Sequence, residues 1–330
     1  MNQQSDKHHL TALRTGPAET PDAAYAGQRT NHRAAWMEAG WGIMHHYRND
    51  GTGSLQSFNE QTDRFDVDAL AGQIKELGAR WLLMCVCHNA TSQYWCAPND
   101  ALQRHVGEPV CTHRDLIADL AAALERVGVR MMVYVWPWIE AQKNVQVQDA
   151  LAVDYPARWC DVIEEYSRRW GKRISGWWFD GAEHDSKPNL AKLAAAARAG
   201  NPQSAVAFNG GWGRLDKFVP DDDYCAGEHL QLKACPGQYD NGALRHILLP
   251  VGDYWGGSRN ATGGVCPAPV TRFTDDELMA FMVDWVVTHR AAVTLDVPLQ
   301  SYQGTIGGLG GVLPELYFRQ LAAVAAALRT

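Results

Sequence analysis

The chain has 330 residues, 46% of them hydrophobic, which is enough to bury the core of one large α/β domain or of two smaller ones. Its formal net charge is −7 and no block of Lys and Arg stands out, so we expect neither nucleic acid nor a membrane surface as a partner. There is no run of 18 apolar residues and no apolar signal segment, so a soluble, cytoplasmic protein is predicted. Eight cysteines in so long a chain do not suggest a disulfide framework.

Two regions of the chain differ in composition. Residues 1–35 are polar with scattered Pro and Gly, and we predict an N-terminal tail or a segment that wraps the rest. Residues 36–330 alternate short apolar runs with amphipathic helical patterns, and we predict that they form one domain. The apolar runs predicted to be strands are 40–47, 80–88, 130–138, 174–181, 205–211, 223–228, 247–256 and 291–299.

Amphipathic helical patterns separate most of these strands. Between the first two, apolar residues within 67–77 recur at helical spacing and Gly78 supplies a stop signal. Strand and helix alternating about eight times predict parallel strands joined by helical crossovers. We therefore predict an α/β fold of the (β/α)8 TIM-barrel type, irregular around strands five and six, where helical patterns are short or absent. An open doubly wound sheet is the alternative, although no Gly-rich phosphate loop opens any of the helices.

Polar and aromatic side chains are concentrated where the predicted strands end, which is where a barrel of this type carries its active site. These strand-end residues are His46, His88, Trp136 or Trp138, Asp180, Asn209, Glu228, Trp255 and Asp296. Asp180 ends the fourth strand and Glu228 ends the sixth, and no other Glu lies between Glu183 and Glu277. A carboxylate and a carboxylic acid that face each other across a barrel mouth are the machinery of glycoside hydrolysis. We therefore predict that Asp180 and Glu228 are the catalytic pair.

Short motifs between residues 36 and 328 follow one another in an order that is more specific than any one of them. They are WGIMHHY (41–47), FD to GAR (65–80), CHNATSQYW (87–95), DLI (115–117), WFDG (178–181), DDYCAGE (222–228), YWGG (254–257), TLDVP (294–298) and GTI (304–306). In this order the chain resembles glycoside hydrolase family 29, the retaining α-L-fucosidases. The resemblance implies a nucleophile at Asp180 and contacts of His46 and His88 with sugar hydroxyl groups.

The chain also departs from the pattern of that family. Where the family has H-H-D-G-F, Asn89 stands in place of the second His, and Ala90-Thr91-Ser92 replaces the residues after it. Family members often carry a C-terminal β-sandwich, which we do not expect here because the sequence stops after the last predicted barrel helix. These departures leave the identity of the sugar more open than the glycosidase chemistry.

Several candidate residues also have a structural interpretation. Asp180 could instead be a strand-end residue that caps the next turn, because Asp followed by Gly is common in turns. Glu228 could instead be a structural hydrogen-bond acceptor or a ligand of a sugar hydroxyl. The acid would then come from Asp222, Asp223, Asp240 or Asp253.

The histidines and tryptophans leave similar alternatives. His45 and His46 are adjacent, so one of them points into a barrel, and the motif favours His46. Cys85 and Cys87 share a strand face that excludes His88, so a zinc site is not expected. Trp136 and Trp138 lie on one strand face, and either one lines a sugar site or both pack in the core. In the pair Trp177 and Trp178, strand alternation directs one ring to the core and the other to the wall of the site.

The sequence therefore predicts a retaining exo-glycosidase that hydrolyses an α-L-fucoside or the glycoside of a related deoxy sugar, with Asp180 as nucleophile and Glu228 as acid and base. The residues predicted to contact the substrate are His46, His88, Asn89, Trp136, Trp138, Trp178, Asn209 and Trp255. The expected partner is a carbohydrate, no cofactor or metal is expected, and homo-oligomerisation is left open. The alternatives are a fucosidase-like enzyme acting on a natural-product glycoside or transferring the sugar, and a non-catalytic carbohydrate-binding barrel.

Overall fold

The computed structural model describes residues 32–47, 54–88, 94–137, 146–256, 270–299 and 310–329. Its strands are β1 (Gly40–His45), β2 (Trp81–Cys85), β3 (Arg130–Val135), β4 (Ile174–Phe179), β5 (Ala205–Phe208), β6 (Tyr239–Asp240), β7 (Ala243–Leu244), β8 (His246–Pro250) and β9 (Ala292–Asp296). Seven of them form one sheet in the order β5-β4-β3-β2-β1-β9-β8, and every pairing in this sheet is parallel. The short strands β6 and β7 form an antiparallel pair of their own.

Helices connect most of these strands, as the alternating pattern predicts. They are α1 (Leu55–Asp63), α2 (Val67–Leu77), α3 (Asp100–Val106), α4 (Leu116–Val127), α5 (Gln146–Ala152), α6 (Ala157–Trp170), α7 (Lys187–Arg198), α8 (Asp275–Met282) and α9 (Glu315–Ala327). Helix α2 begins where the side chain of Asp66 accepts a hydrogen bond from the backbone of Ala69, and it ends at Gly78, whose φ of 73° is left-handed. Among the residues described, no helix is long and apolar enough to cross a membrane.

Strand residues alternate between two separate apolar clusters. One cluster contains Ile43, Leu82, Val133, Trp177 and Phe179 together with the apolar faces of the helices. The other contains Met44, Leu83, Tyr134, Trp178 and Ala207 and takes no residue from helices α1 to α9. Because side chains of a strand point alternately to opposite faces, the second cluster fills the side of the sheet that the helices do not cover.

The two edges of the sheet, β5 and β8, are joined by residues 223–229, which we call the closing segment. At one end of it, the backbone N–H of Asp223 donates to the carbonyl of Val206 at 2.8 Å. At the other end, the N–H of His229 donates to the carbonyl of Leu248 at 3.0 Å. Because one short segment bonds to both edges, the sheet must curl around the second cluster, which is compatible with a TIM-like barrel.

The prediction of a regular sixth strand over 223–228 is wrong, whereas the irregularity expected in this region is present. The closing segment makes isolated bridges through Tyr224 and Glu228 instead of a ladder. Gly227 has a left-handed φ of 70°, and a Cβ atom there would lie 2.0 Å from the carbonyl oxygen of His246. This close approach of two backbones interrupts the extended conformation that a strand requires.

Candidate active site

The predicted catalytic pair lies at the carboxyl end of the parallel sheet. Asp180 directly follows β4, and its backbone N–H donates to the carbonyl of Val135 at 2.9 Å. Glu228 is in the closing segment, and its side chain is buried with 8% exposure. Asp180 lies two positions after the interior residue Trp178, so strand alternation directs its side chain to the interior of the sheet. The side chain of Glu228 is placed there by its hydrogen bond with Asn209.

A single amide group joins the two carboxyl groups. The Nδ2 atom of Asn209, which follows β5, donates to Oδ1 of Asp180 at 2.8 Å and to Oε2 of Glu228 at 2.6 Å. Its Oδ1 atom accepts a hydrogen bond from the N–H of Gly211 at 3.2 Å, which fixes the orientation of the amide. Because both oxygens accept hydrogen bonds of these lengths from the same nitrogen, Oδ1 of Asp180 and Oε2 of Glu228 lie no more than about 5.4 Å apart. The amide group of Asn209, predicted to contact substrate, is therefore occupied by the catalytic pair.

Asp180 is held by further donors. The hydroxyl of Tyr134, on β3, donates to Oδ2 of Asp180, and the N–H of Gly181 donates to Oδ1 at 2.9 Å. Burial raises the pKa of Asp180, and the hydrogen bonds from Tyr134, Asn209 and Gly181 and the nearby His46 act in the opposite direction. These donors stabilise the carboxylate form, so Asp180 is the member of the pair that ionises first.

Glu228 is held mainly in its protonated form. Burial and the negative charge of Asp180 raise the pKa of Glu228 to about 9, and the charge of Glu183 adds to this shift. The hydrogen bond from Asn209 lowers the pKa but does not compensate for burial. At neutral pH the pair therefore consists of one carboxylate and one carboxylic acid, which is the division that glycoside hydrolysis requires.

Three of the four alternative acids are engaged in structural interactions. The carboxylate of Asp222 accepts hydrogen bonds from the backbone of Phe208, Phe218 and Val219. Asp223 lies 2.8 Å from Arg198, and Asp240 lies 3.0 Å from Arg245.

Imidazole and indole rings surround the carboxylates. His46 follows β1, and its ring centroid lies 5.4 Å from that of Tyr134, 5.7 Å from that of His88 and 5.8 Å from that of Trp255. The ring of Trp136 meets that of His88 edge to face at 4.6 Å. The structure thus brings four of the predicted substrate ligands into one group beside Asp180.

His46 is itself positioned by a buried carboxylate at the end of β9. Its Nδ1 atom lies 3.0 Å from Oδ1 of Asp296, which is completely buried. The other oxygen of Asp296 accepts the N–H of Gly256 at 2.7 Å, so the same carboxylate also fixes the turn that carries Trp255. His45 points the other way, and its Nδ1 atom lies 2.6 Å from the carbonyl of Val297.

Trp178 has a supporting position. Its ring is buried with 1% exposure and stacks on Tyr134 at a centroid distance of 5.2 Å. Its indole N–H donates to the carbonyl of Ala226 at 3.1 Å, which ties β4 to the closing segment. Contact of Trp178 with a sugar stays a prediction, and Asn89 and Trp138 lie outside the described residues.

The sequence prediction missed Tyr134, whose hydroxyl contacts the carboxylate of Asp180. Strand alternation offered a signal, because Tyr134 lies two residues before Trp136 and therefore shares its strand face. In the described part of the chain, no group of three or more His, Cys, Asp or Glu side chains is arranged to hold a metal ion. The thiol of Cys85 instead donates to the carbonyl of Cys87 at 3.2 Å.

Comparison with known proteins identifies the family of the chain. A family model described as Alpha-L-fucosidase matches residues 17–239, which is more than half of the chain. A search of curated proteins gives no match.

Solved structures share the fold at low sequence identity. The endo-fucoidan hydrolase MfFcnA4 of glycoside hydrolase family 107 has 17% identity and a TM-score of 0.68, over 90% of this chain and 53% of its own. The alpha-L-fucosidase AlfC from Lactobacillus casei, in complex with alpha-L-fucose, has 16% identity and a TM-score of 0.63, over 90% of this chain and 98% of its own. A variant of AlfC in complex with Fuca(1,6)GlcNAc has 16% identity and a TM-score of 0.60, with the same coverage.

These similarities carry different weight. This chain spans about half of the length of MfFcnA4, and at 16–17% identity the structural likeness shows the fold alone. The family match, by contrast, spans residues 17–239, a range that includes Asp180 and Glu228. The chain belongs to the alpha-L-fucosidase family.

Proposed function

We propose that this chain is a retaining exo-glycosidase that hydrolyses an α-L-fucoside or the glycoside of a related deoxy sugar. We place its site in the mouth of a (β/α)8 barrel in which the closing segment takes the position of the sixth strand. The observation that carries the proposal is the amide of Asn209, which keeps Oδ1 of Asp180 and Oε2 of Glu228 no more than about 5.4 Å apart. Retaining enzymes have carboxyl groups about 5–5.5 Å apart, and inverting enzymes about 6.5–9.5 Å apart.

In the first step, the carboxylate of Asp180 attacks the anomeric carbon and forms an ester bond with it, while the bond to the leaving oxygen breaks. Glu228 donates its proton to that oxygen, so the leaving group departs as a neutral alcohol. The pKa of Glu228, raised to about 9, keeps this proton available at neutral pH. Hydrogen bonds from Tyr134, Asn209 and Gly181 hold the carboxylate of the nucleophile in a fixed position.

In the second step, water attacks the anomeric carbon of the glycosyl ester. Glu228 now carries a negative charge and takes a proton from this water, and the bond between the sugar and Asp180 breaks. Two inversions at the same carbon give a product with the configuration of the substrate. Water access is therefore needed on the side of Glu228 after the leaving group has departed.

The ring group beside the pair would orient the sugar. His46 and His88 supply nitrogen atoms for hydroxyl groups, while Trp136 and Trp255 supply apolar faces. Such a mixture suits a deoxy sugar, which has hydroxyl groups on one side and a methyl group on another. Among sugars, fucose is supported by the family of the chain.

The test is the release of 4-nitrophenol from 4-nitrophenyl α-L-fucoside by the wild type and by Asp180→Ala, Glu228→Gln and Asp253→Asn variants. We expect turnover by the wild type, a loss of more than about 1,000-fold in Asp180→Ala, and near-wild-type activity in Asp253→Asn. Azide should restore turnover to Asp180→Ala, because it occupies the space of the lost nucleophile. Full activity of Asp180→Ala would refute the assignment.

The two alternatives give different results in the same experiment. A changed substrate predicts no release from the fucoside but release from another member of a panel of aryl glycosides. A non-catalytic barrel predicts binding of fucose without release from any member of the panel.

A further inference from the structure

An exposed tryptophan, Trp212, stands at the rim of the site and is not used by the proposed mechanism. Its side chain is 53% exposed, which is unusual for so large an apolar ring. The ring meets that of Trp255 edge to face at a centroid distance of 5.9 Å, and Trp255 in turn lies 5.8 Å from His46. Trp212 therefore extends the aromatic wall of the site outward into solvent.

The backbone around Trp212 is tied to the acid side of the catalytic pair. Just before it, the N–H of Gly211 donates to Oδ1 of Asn209, the residue that bridges both carboxyl groups. Just after it, the N–H of Gly213 donates to the carbonyl of Glu228 at 2.9 Å. The backbone of Trp212 is thus held in a short turn that is anchored on both sides and lies beside Glu228.

A carboxylate borders the same turn from the other side. A Cβ atom placed on Gly211 would lie 3.9 Å from Cβ of Glu183, so the side chain of Glu183 begins next to the turn that carries Trp212. The side chain of Glu183, three residues after Asp180, is 32% exposed, and its Oε1 atom lies 3.4 Å from Nε2 of His184. Its charge acts on Glu228, which agrees with this placement.

We propose that Trp212 and Glu183 form a leaving-group subsite for a saccharide. The inference rests on the proposed function, because Glu228 protonates the leaving oxygen and the leaving group must therefore lie on the side of Glu228. The apolar face of a sugar ring stacks on the indole of Trp212, and a hydroxyl of the same ring donates to the carboxylate of Glu183. The natural substrate is then a fucoside of another sugar, not of a small alcohol.

The test compares two substrates that share the fucosyl group and differ in the leaving group. The first is Fuca(1,6)GlcNAc, whose leaving sugar would occupy the subsite. The second is α-L-fucosyl fluoride, whose leaving fluoride is too small to reach Trp212 and needs little help from an acid. Values of kcat/KM are measured for the wild type, Trp212→Ala, Trp212→Phe and Glu183→Ala, with Val287→Ala as the control for truncation of an exposed apolar side chain.

We expect kcat/KM for the disaccharide to fall about tenfold or more in Trp212→Ala, and less in Glu183→Ala, with values for the fluoride within about twofold of the wild type. Trp212→Phe should regain most of the loss, and Val287→Ala should change neither substrate. A parallel fall for both substrates in Trp212→Ala would show a structural role and overturn the proposal, as would no change for the disaccharide. A shift of the basic limb of the pH profile of kcat/KM for the disaccharide would also overturn it, because that shift would show an effect on the acid Glu228 and not on a subsite. A wild type that cleaves neither substrate would instead contradict the proposed function, and the subsite with it.

Discussion

Replacement of Glu228 by Gln should stabilise the folded protein at neutral and alkaline pH while removing the catalytic acid. Glu228 is 8% exposed, and its folded-state pKa is raised to about 9 by burial and by the charge of Asp180. Because the folded pKa lies above the unfolded one, its protonated form favours folding at low pH, and that contribution is lost as pH rises toward 9. Gln keeps the shape of the acid and can accept the hydrogen bond from Asn209, but it never has to ionise.

The size of the effect follows from the pKa difference. The model value for a Glu side chain is 4.5, and each unit of difference corresponds to about 1.4 kcal/mol. At about pH 5 the unfolded carboxyl group is already mostly ionised, but this pH lies only about half a unit above 4.5, so the gain from Gln is still below about 1 kcal/mol. At about pH 8 the unfolded chain has lost the proton that the folded chain keeps, and the gain rises to roughly 4–5 kcal/mol.

The assay is urea unfolding of the wild type and the Glu228→Gln variant at both pH values. Glu76→Gln, on the exposed face of α2, is the matched control and should change the free energy of unfolding by less than about 0.5 kcal/mol at either pH. A difference between Glu228→Gln and the wild type that does not grow with pH would refute the reasoning. A variant less stable than the wild type at about pH 8 would refute it more directly, because it would mean that the ionised form of Glu228 is the favoured one.

Other substitutions test the groups around the pair. Tyr134→Phe removes a hydrogen-bond donor to the nucleophile and should lower kcat by roughly 10- to 100-fold. The acid limb of the pH profile of kcat/KM should move to higher pH, because the lost hydrogen bond lowers the pKa of Asp180. Asp296→Asn removes the charge 3.0 Å from His46 and should raise KM severalfold with a smaller change in kcat; an unchanged KM would contradict a positioning role. Gly42→Ala would place a Cβ atom 2.1 Å from the indole nitrogen of Trp81, and thermal unfolding should report a loss of about 1–3 kcal/mol or more.

The position of the site could be predicted from sequence because it depends on two simple rules. Parallel strands bring their carboxyl ends to one edge, and alternation along each strand selects the inward side chain. These rules bring His46 and Asp180 to the same edge of the sheet and separate His46 from His45. Alternation places Tyr134 on the same strand face as Trp136, but the search for site residues at strand ends stops before Tyr134, and a tyrosine inside an apolar strand is typical of a core residue.

The closing segment and the role of Asn209 could not be predicted for a different reason. Residues 223–228 have a strand-like composition, but the edge of β5 at Val206 and Phe208 is bonded in part by the side chains of Asp223 and Asp222. When side-chain oxygens accept the hydrogen bonds that a neighbouring strand would normally accept, the sequence shows no alternating pattern from which this could be predicted. The bridging position of the Asn209 amide likewise depends on the distances between β4, β5 and the closing segment. A local sequence pattern holds no information on these distances.

The measurement that tests the account most directly is trapping of the glycosyl-enzyme. The protein is incubated with 2-deoxy-2-fluoro-α-L-fucosyl fluoride, digested with trypsin and analysed by mass spectrometry. The account predicts one added fluorosugar per chain on the peptide that begins at Ile174, attached at Asp180, and no label in the Asp180→Ala variant. Turnover of a fucoside with no trapped intermediate, or a label on a different carboxylate, would contradict the assignment of Asp180 as the nucleophile.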